Sequence, residues 1–177
     1  IPGRFTTSYM LFQIFVGQGL NVEFMHFEKI MGSIERGEVD AGVLLHEGQI
    51  LFEKDGFIKI LDLGEEWYKE TNLPIPLGID LVNRKFDFKI RENLTTVFYE
   101  SVKYGIENED AALKYAMQYG RDLSLDEARK FVRMYVNKDT LDMGEEGLNA
   151  INKLFELAVQ SEIITLKPEI DLIYPKK

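Results

Sequence analysis

What most constrains this chain is a change of hydrophobic periodicity near its middle. Up to residue 82, short apolar runs and alternations are interleaved with helical stretches. Beyond about residue 89 only the helical spacing persists. A period of two belongs to a pleated strand and a period of 3.6 to a helix, so the two parts are built differently. Strands crossed by helices, followed by helices alone, predict an α/β lobe over residues 1–82. A helical segment over 83–177 would then return to pack on a second sheet.

The expected elements follow from local chemistry. Pro2-Gly3-Arg4 is a turn, and Thr6 or Thr7 caps a helix with Tyr9, Met10, Phe12 and Phe15 on its apolar face. Gly17 and Gly19 end that helix. Val22, Phe24 and His26 alternate with Glu23, Met25 and Phe27, which predicts a half-buried strand. Ile30, Met31 and Ile34 form the inner face of a short helix stopped at Gly37. Val39 to Leu45 is a continuous small and apolar run, the pattern of a strand buried on both faces. Asp55-Gly56 marks a turn into a strand over 57–63. A helix over 64–71 carries the single tryptophan, Trp67, and Pro74 and Pro76 break the chain before a strand over 77–82.

Four amphipathic helices are expected in the second half. The first has a stripe through Leu94, Val97, Phe98, Val102 and Ile106; two more cover 111–119 and 125–136. Asp142 with Glu145 three residues on reads as a capping box for the fourth, whose stripe is Leu148, Ile151, Leu154, Phe155 and Ala158. Residues 168–174 read as a tail laid over a surface.

Composition narrows the function. The formal net charge is −9 over 177 residues, with basic residues dispersed among acidic ones, which argues against a nucleic-acid partner. There is no cysteine, so disulfides, thiol catalysis and zinc–thiolate sites are excluded. The apolar runs are too short for a membrane-spanning helix. The chain opens at Ile1-Pro2-Gly3 without an initiator Met; Ile1 reads as the last residue of a strand, and a preceding segment is expected.

Two histidines are present. His26, in the alternating stretch, reads as a partly buried histidine of a packed sheet. His46 stands where the Val39–Leu45 run would leave the sheet, and ligands of open α/β sheets bind beyond the carboxyl ends of strands. It reads as a general base or as a hydrogen-bonding loop residue, and both readings stay open. Glu47 beside it does not complete a zinc-protease motif, because His46-Glu47-Gly48-Gln49-Ile50 lacks the second histidine. Arg4, Thr6, Thr7 and Ser8 surround an expected helix start, which suits a carboxylate but also serves as an ordinary cap. The acidic clusters at 107–110 and 145–146 read as solvated caps rather than a metal site.

Several separated motifs, in order, resemble the menaquinone-pathway 1,4-dihydroxy-6-naphthoate synthases. They are Pro2-Gly3-Arg4 with Thr6-Thr7, residues 37–42 (GEVDAG) running into His46-Glu47, and Leu61-Asp62-Leu63-Gly64 with Trp67. Further on are residues 71–78 (TNLPIPLG), Tyr135-Val136-Asn137 and residues 142–147 (DMGEEG). The resemblance implies a two-lobed, periplasmic-binding-protein-like (type II) fold, with an α/β lobe and the helical C-terminal part of the other lobe in this chain. It implies a cytoplasmic carbon–carbon lyase that converts cyclic dehypoxanthinyl futalosine to 1,4-dihydroxy-6-naphthoate without a metal or organic cofactor. His46 would be the general base, and Arg4, Thr6, Thr7, Ser8, Tyr9 and Glu47 would hold the anionic substrate. Family members carry a segment ahead of Pro-Gly-Arg that supplies the opposite cleft wall. The chain alone is therefore expected to be inactive, or to need that segment or a homodimer partner. A transport-type binding protein and the sibling chorismate dehydratases are the competing readings; the former has no need of His46.

Overall fold

The computed structural model describes residues 1–45, 48–119 and 123–176. Among these residues the regular elements are all helices: α1 Thr7–Phe15, α2 Phe27–Glu35, α3 Gly48–Leu51, α4 Leu63–Thr71 and α5 Phe88–Glu107. They continue with α6 Glu109–Ala116, α7 Leu125–Tyr135, α8 Lys138–Leu141 and α9 Gly144–Gln160. The chain divides into two compact units, residues 1–78 with 146–168 and residues 79–145 with 169–177.

The first unit is organised around Trp67. Thr6 takes an extended conformation and its side chain accepts the Tyr9 backbone N–H, so α1 begins where the hydroxyl run predicts. Asp62 caps α4 by accepting from the Gly64 and Glu65 N–H groups at 2.9 and 3.2 Å. Asn72, at φ 53°, turns the chain out of that helix. Trp67 is fully buried against Leu11 of α1 and Ala150 and Leu154 of α9, with Met10, Ile14 and Phe15 packed around them. The inward residue of α1 is thus Leu11, whereas Tyr9 and Phe12 stack on each other at its side. The Trp67 indole N–H is shared between the carbonyls of Leu73 and Pro74, at 2.9 and 3.0 Å. That bond draws the segment after α4 back over the helix. In α2 the buried residues are Ile30 and Ser33, and Gly37 at φ +68° ends the turn.

The α/β expectation needs correcting for the described residues, because none of the proposed strands is a strand. Residues 39–45 form no regular element, and Asp40, Ala41 and Gly42 are exposed rather than buried on both faces. Ile58 and Ile60 are 85% and 77% exposed, and Leu81 is 85% exposed. The alternation is real, yet a strand exists only where a neighbour takes up its N–H and C=O groups. A fragment of such pairing is present at Ile1, whose amino group donates to Glu23 O at 2.8 Å while Met25 N–H donates to Ile1 O at 3.1 Å. Those two bonds flank Phe24 in the parallel pattern. His26 is likewise not a packed sheet histidine: it is the residue preceding α2, its side chain 56% exposed, with Nδ1 3.2 Å from Glu28 Oε2.

The second unit contains the first three of the four helices expected beyond residue 89, with the short α8 added, while most of α9 belongs to the first unit. Asp87 caps α5 through the Ile90 N–H, and Ser124 and Glu127 form a reciprocal capping box on α7. Among the described residues Leu113, Leu123 and Ala128 are its buried apolar ones, and α5 contributes none over its 20 residues. Arg129 and Arg133 of α7 hold Glu109 of α6, and Arg129 also reaches Asp110 at 2.9 Å. The final residues do lie over α5: Lys176 bonds Thr96 through its backbone N–H and Asn93 through Nζ, and Asp171 faces Arg84 and Arg91.

Candidate functional site

The hydroxyl-rich start of α1 is the part of the expected site that the structure describes. His46 and Glu47, the expected base and its neighbour, lie outside the described residues. On either side of them stand the half-buried Leu45 and the start of α3 at Gly48.

At the start of α1 the three hydroxyls divide their tasks. Thr6 Oγ1 donates to Gly3 O at 2.8 Å and accepts the Tyr9 N–H at 3.2 Å. Its single proton being used, the 3.0 Å contact with Ser8 Oγ has Ser8 as donor. The Thr6 hydroxyl is therefore saturated inside the turn. The Thr7 side chain has no hydrogen bond among the described residues, nor do the backbone N–H groups of Thr7 and Ser8. These are the orphan donors that every helix start presents, at the positive end of the helix dipole.

Arg4 and Tyr9 flank these donors through one ring that the sequence did not single out. The Arg4 guanidinium lies 5.9 Å from the centroid of Phe24, and Tyr9 meets the same ring edge-on at 5.0 Å and 85°. Arg4 has no acidic partner among the described residues, in a chain with a net charge of −9. The local surface is thus cationic and aromatic, with free N–H groups, a Thr hydroxyl and a guanidinium. Such a surface accepts a carboxylate and offers ring faces to an aromatic body. In the alternating stretch Phe24 reads as an ordinary apolar strand position; only its approach to both Arg4 and Tyr9 marks it.

No group of three or more His, Asp or Glu side chains suited to a metal occurs among the described residues. The acidic cluster before α6 is engaged otherwise. Hydrogen bonds from Arg133 and then Arg129 hold the Glu109 carboxyl down from its ordinary 4.5 to about 2. Two arginines therefore occupy the carboxylate as a tie between helices. No helix is long and apolar enough to cross a membrane among the described residues.

The sequence profile of a family described as menaquinone biosynthesis matches residues 1–160. A 1,4-dihydroxy-6-naphthoate synthase of Thermus thermophilus is 34% identical over 155 residues, covering 88% of this chain and 57% of that protein. One from Streptomyces coelicolor is 28% identical over 180 residues, covering 99% of this chain and 64% of that protein. The chain thus spans under two thirds of the length of either relative. A crystal structure of a protein from Archaeoglobus fulgidus is similar with a TM-score of 0.88 and 37% identity, covering 92% of this chain and 61% of its own.

Proposed function

The chain belongs to the menaquinone biosynthesis family, and on that premise we propose that it carries the base and one substrate-holding wall of a 1,4-dihydroxy-6-naphthoate synthase. The observation behind this reading is the ordered match over residues 1–160 together with relatives of that activity. The enzyme is a carbon–carbon lyase whose substrate is cyclic dehypoxanthinyl futalosine. His46 takes the proton of a substrate hydroxyl, and as that oxygen becomes a carbonyl the adjacent carbon–carbon bond breaks, its electron pair passing to the bicyclic fragment, which takes back a proton as the carbonyl-bearing fragment leaves. The released bicyclic product gains aromatic stabilisation, which makes the step favourable. A positioned histidine contributes about 10²–10⁴-fold to such a proton transfer.

The start of α1 supports a role in holding the substrate. Its carboxylate fits the free N–H groups of Thr7 and Ser8, the Thr7 hydroxyl and Arg4, while Thr6 keeps the turn that presents them. Glu47 and Tyr9 complete the substrate-holding side chains, Tyr9 bordering the ring system. Neither a metal nor an organic cofactor takes part in this scheme. The complete protein is a two-lobed, periplasmic-binding-protein-like enzyme of the cytoplasm, and a further segment or a second copy supplies the opposite wall. The apolar side chains exposed along 57–61 and 77–81 are consistent with such a covering partner.

The test is conversion of cyclic dehypoxanthinyl futalosine by the full-length gene product and its His46→Ala variant, followed by chromatography. Naphthoate from the wild type and at least about 10²-fold less from the variant is the expected result. Equal product from both discards His46 as the base, and no product from either discards the lyase reading.

A further inference from the structure

The ring of Phe24 stands between two groups of the proposed substrate wall, and its own place is unusually well determined. The backbone bonds to Ile1 on either side of it set the residue in parallel register beside the turn that leads into α1. From there its face receives the Arg4 guanidinium at 5.9 Å and its ring meets Tyr9 at 5.0 Å. Arg4 precedes the helix cap and Tyr9 follows it, so one side chain spans both sides of the helix start. Phe24 remains 41% exposed and stands apart from the Trp67 core, with Arg4 and Tyr9 as its ring partners.

An exposed arginine without an acidic partner samples many rotamers, and ordering them on binding weakens affinity. A ring beneath the guanidinium narrows that set while leaving the N–H fork free for a carboxylate. We infer that Phe24 is a positioning residue of the substrate site, holding Arg4 over the start of α1 to receive the substrate carboxylate. This deepens the lyase reading and rests on it. Phe24 touches no reacting atom, so it acts on substrate affinity and leaves the proton transfer at His46 unchanged.

The test compares Phe24→Ala, Phe24→Leu and Phe24→Tyr in the full-length gene product, with thermal midpoints measured alongside. Loss of the ring raises KM about 5-fold and leaves kcat nearly unchanged. Tyrosine, which keeps the ring, retains the wild-type KM, whereas leucine, which keeps apolar bulk without a π face, does not. A merely structural role would be served as well by leucine, so equal KM values for the Leu and Tyr variants overturn the inference. They leave the lyase reading intact. Should the Ala variant fail to fold, the Leu and Tyr pair decides. Should the wild type yield no product, calorimetric affinity for 1,4-dihydroxy-6-naphthoate replaces KM. Binding kept by Tyr and weakened by Leu then sustains Phe24 while the lyase reading falls; equal affinities overturn the role of Phe24, and no binding by the wild type overturns both.

Discussion

Replacing Trp67 by phenylalanine isolates what its indole does for the first unit. The side chain is completely buried, and its N–H is shared by the carbonyls of Leu73 and Pro74. Phenylalanine keeps an aromatic ring against Leu11, Ala150 and Leu154 but removes that donor and part of the ring volume. Losing that donor, with the Leu73 and Pro74 carbonyls only partly buried, costs about 1 kcal/mol. The unfilled space adds roughly 1–2 kcal/mol at about 24 cal/mol per Å³. The expected loss for Trp67→Phe is therefore about 2–3 kcal/mol, and for Trp67→Ala about 5 kcal/mol. Urea unfolding followed by far-ultraviolet circular dichroism measures it, since the substitution removes the only tryptophan as a fluorophore. The midpoint should fall with the slope unchanged. Leu11→Ala on its own costs about 2–5 kcal/mol. Because it shares a contact surface with Trp67, the double variant should fall short of the sum by more than about 0.5 kcal/mol. A Trp67→Phe loss below about 1 kcal/mol, or additivity with Leu11→Ala, would refute the claim that the indole bond and this packing hold α1 to α4 and α9.

Two further outcomes are expected. A Cβ added at Gly42 would sit 2.2 Å from Ile30 Cγ2 and 3.1 Å from Ile34 Cδ1. With Ile30 only 1% exposed and unable to retreat, Gly42→Ala costs about 1–3 kcal/mol, and the same urea measurement in an Ile30→Ala background shows a smaller increment. Glu109 has its carboxyl lowered in the folded state from 4.5 to about 2. The stability it contributes is present above its unfolded value and is lost as pH falls from 4.5 to about 2. Urea midpoints measured across that window should decline less steeply for Glu109→Gln than for the wild type; identical slopes would show that the Arg133 and Arg129 bonds contribute nothing.

The sequence by itself determined the longer helices, because their signals are local, whereas the four-residue α3 and α8 are too short to carry a periodicity. The Thr6 cap, the Asp62 cap, the Ser124–Glu127 box and the turns at Gly37 and Asn72 each act within four residues of the chain. The stripe of α9 was legible for the same reason, and Ile151, Leu154 and Ala158 are indeed buried. It also carried the family, since ordered motifs survive where no single one is decisive. Only the tertiary structure decided whether the apolar alternations became strands. The residues along 57–61 and 77–82 have the pattern of a pleated surface, but pairing depends on a neighbour supplied by distant chain, and the pattern cannot say whether it is present. Long-range packing likewise chose Leu11 over Tyr9 and Phe12 as the inward residue of α1, since α4 and α9 approach from one side only. The role of Phe24 was hidden for that reason too: its meaning lies in lying between Arg4 and Tyr9, twenty and fifteen residues away in sequence, and no local periodicity records such a meeting.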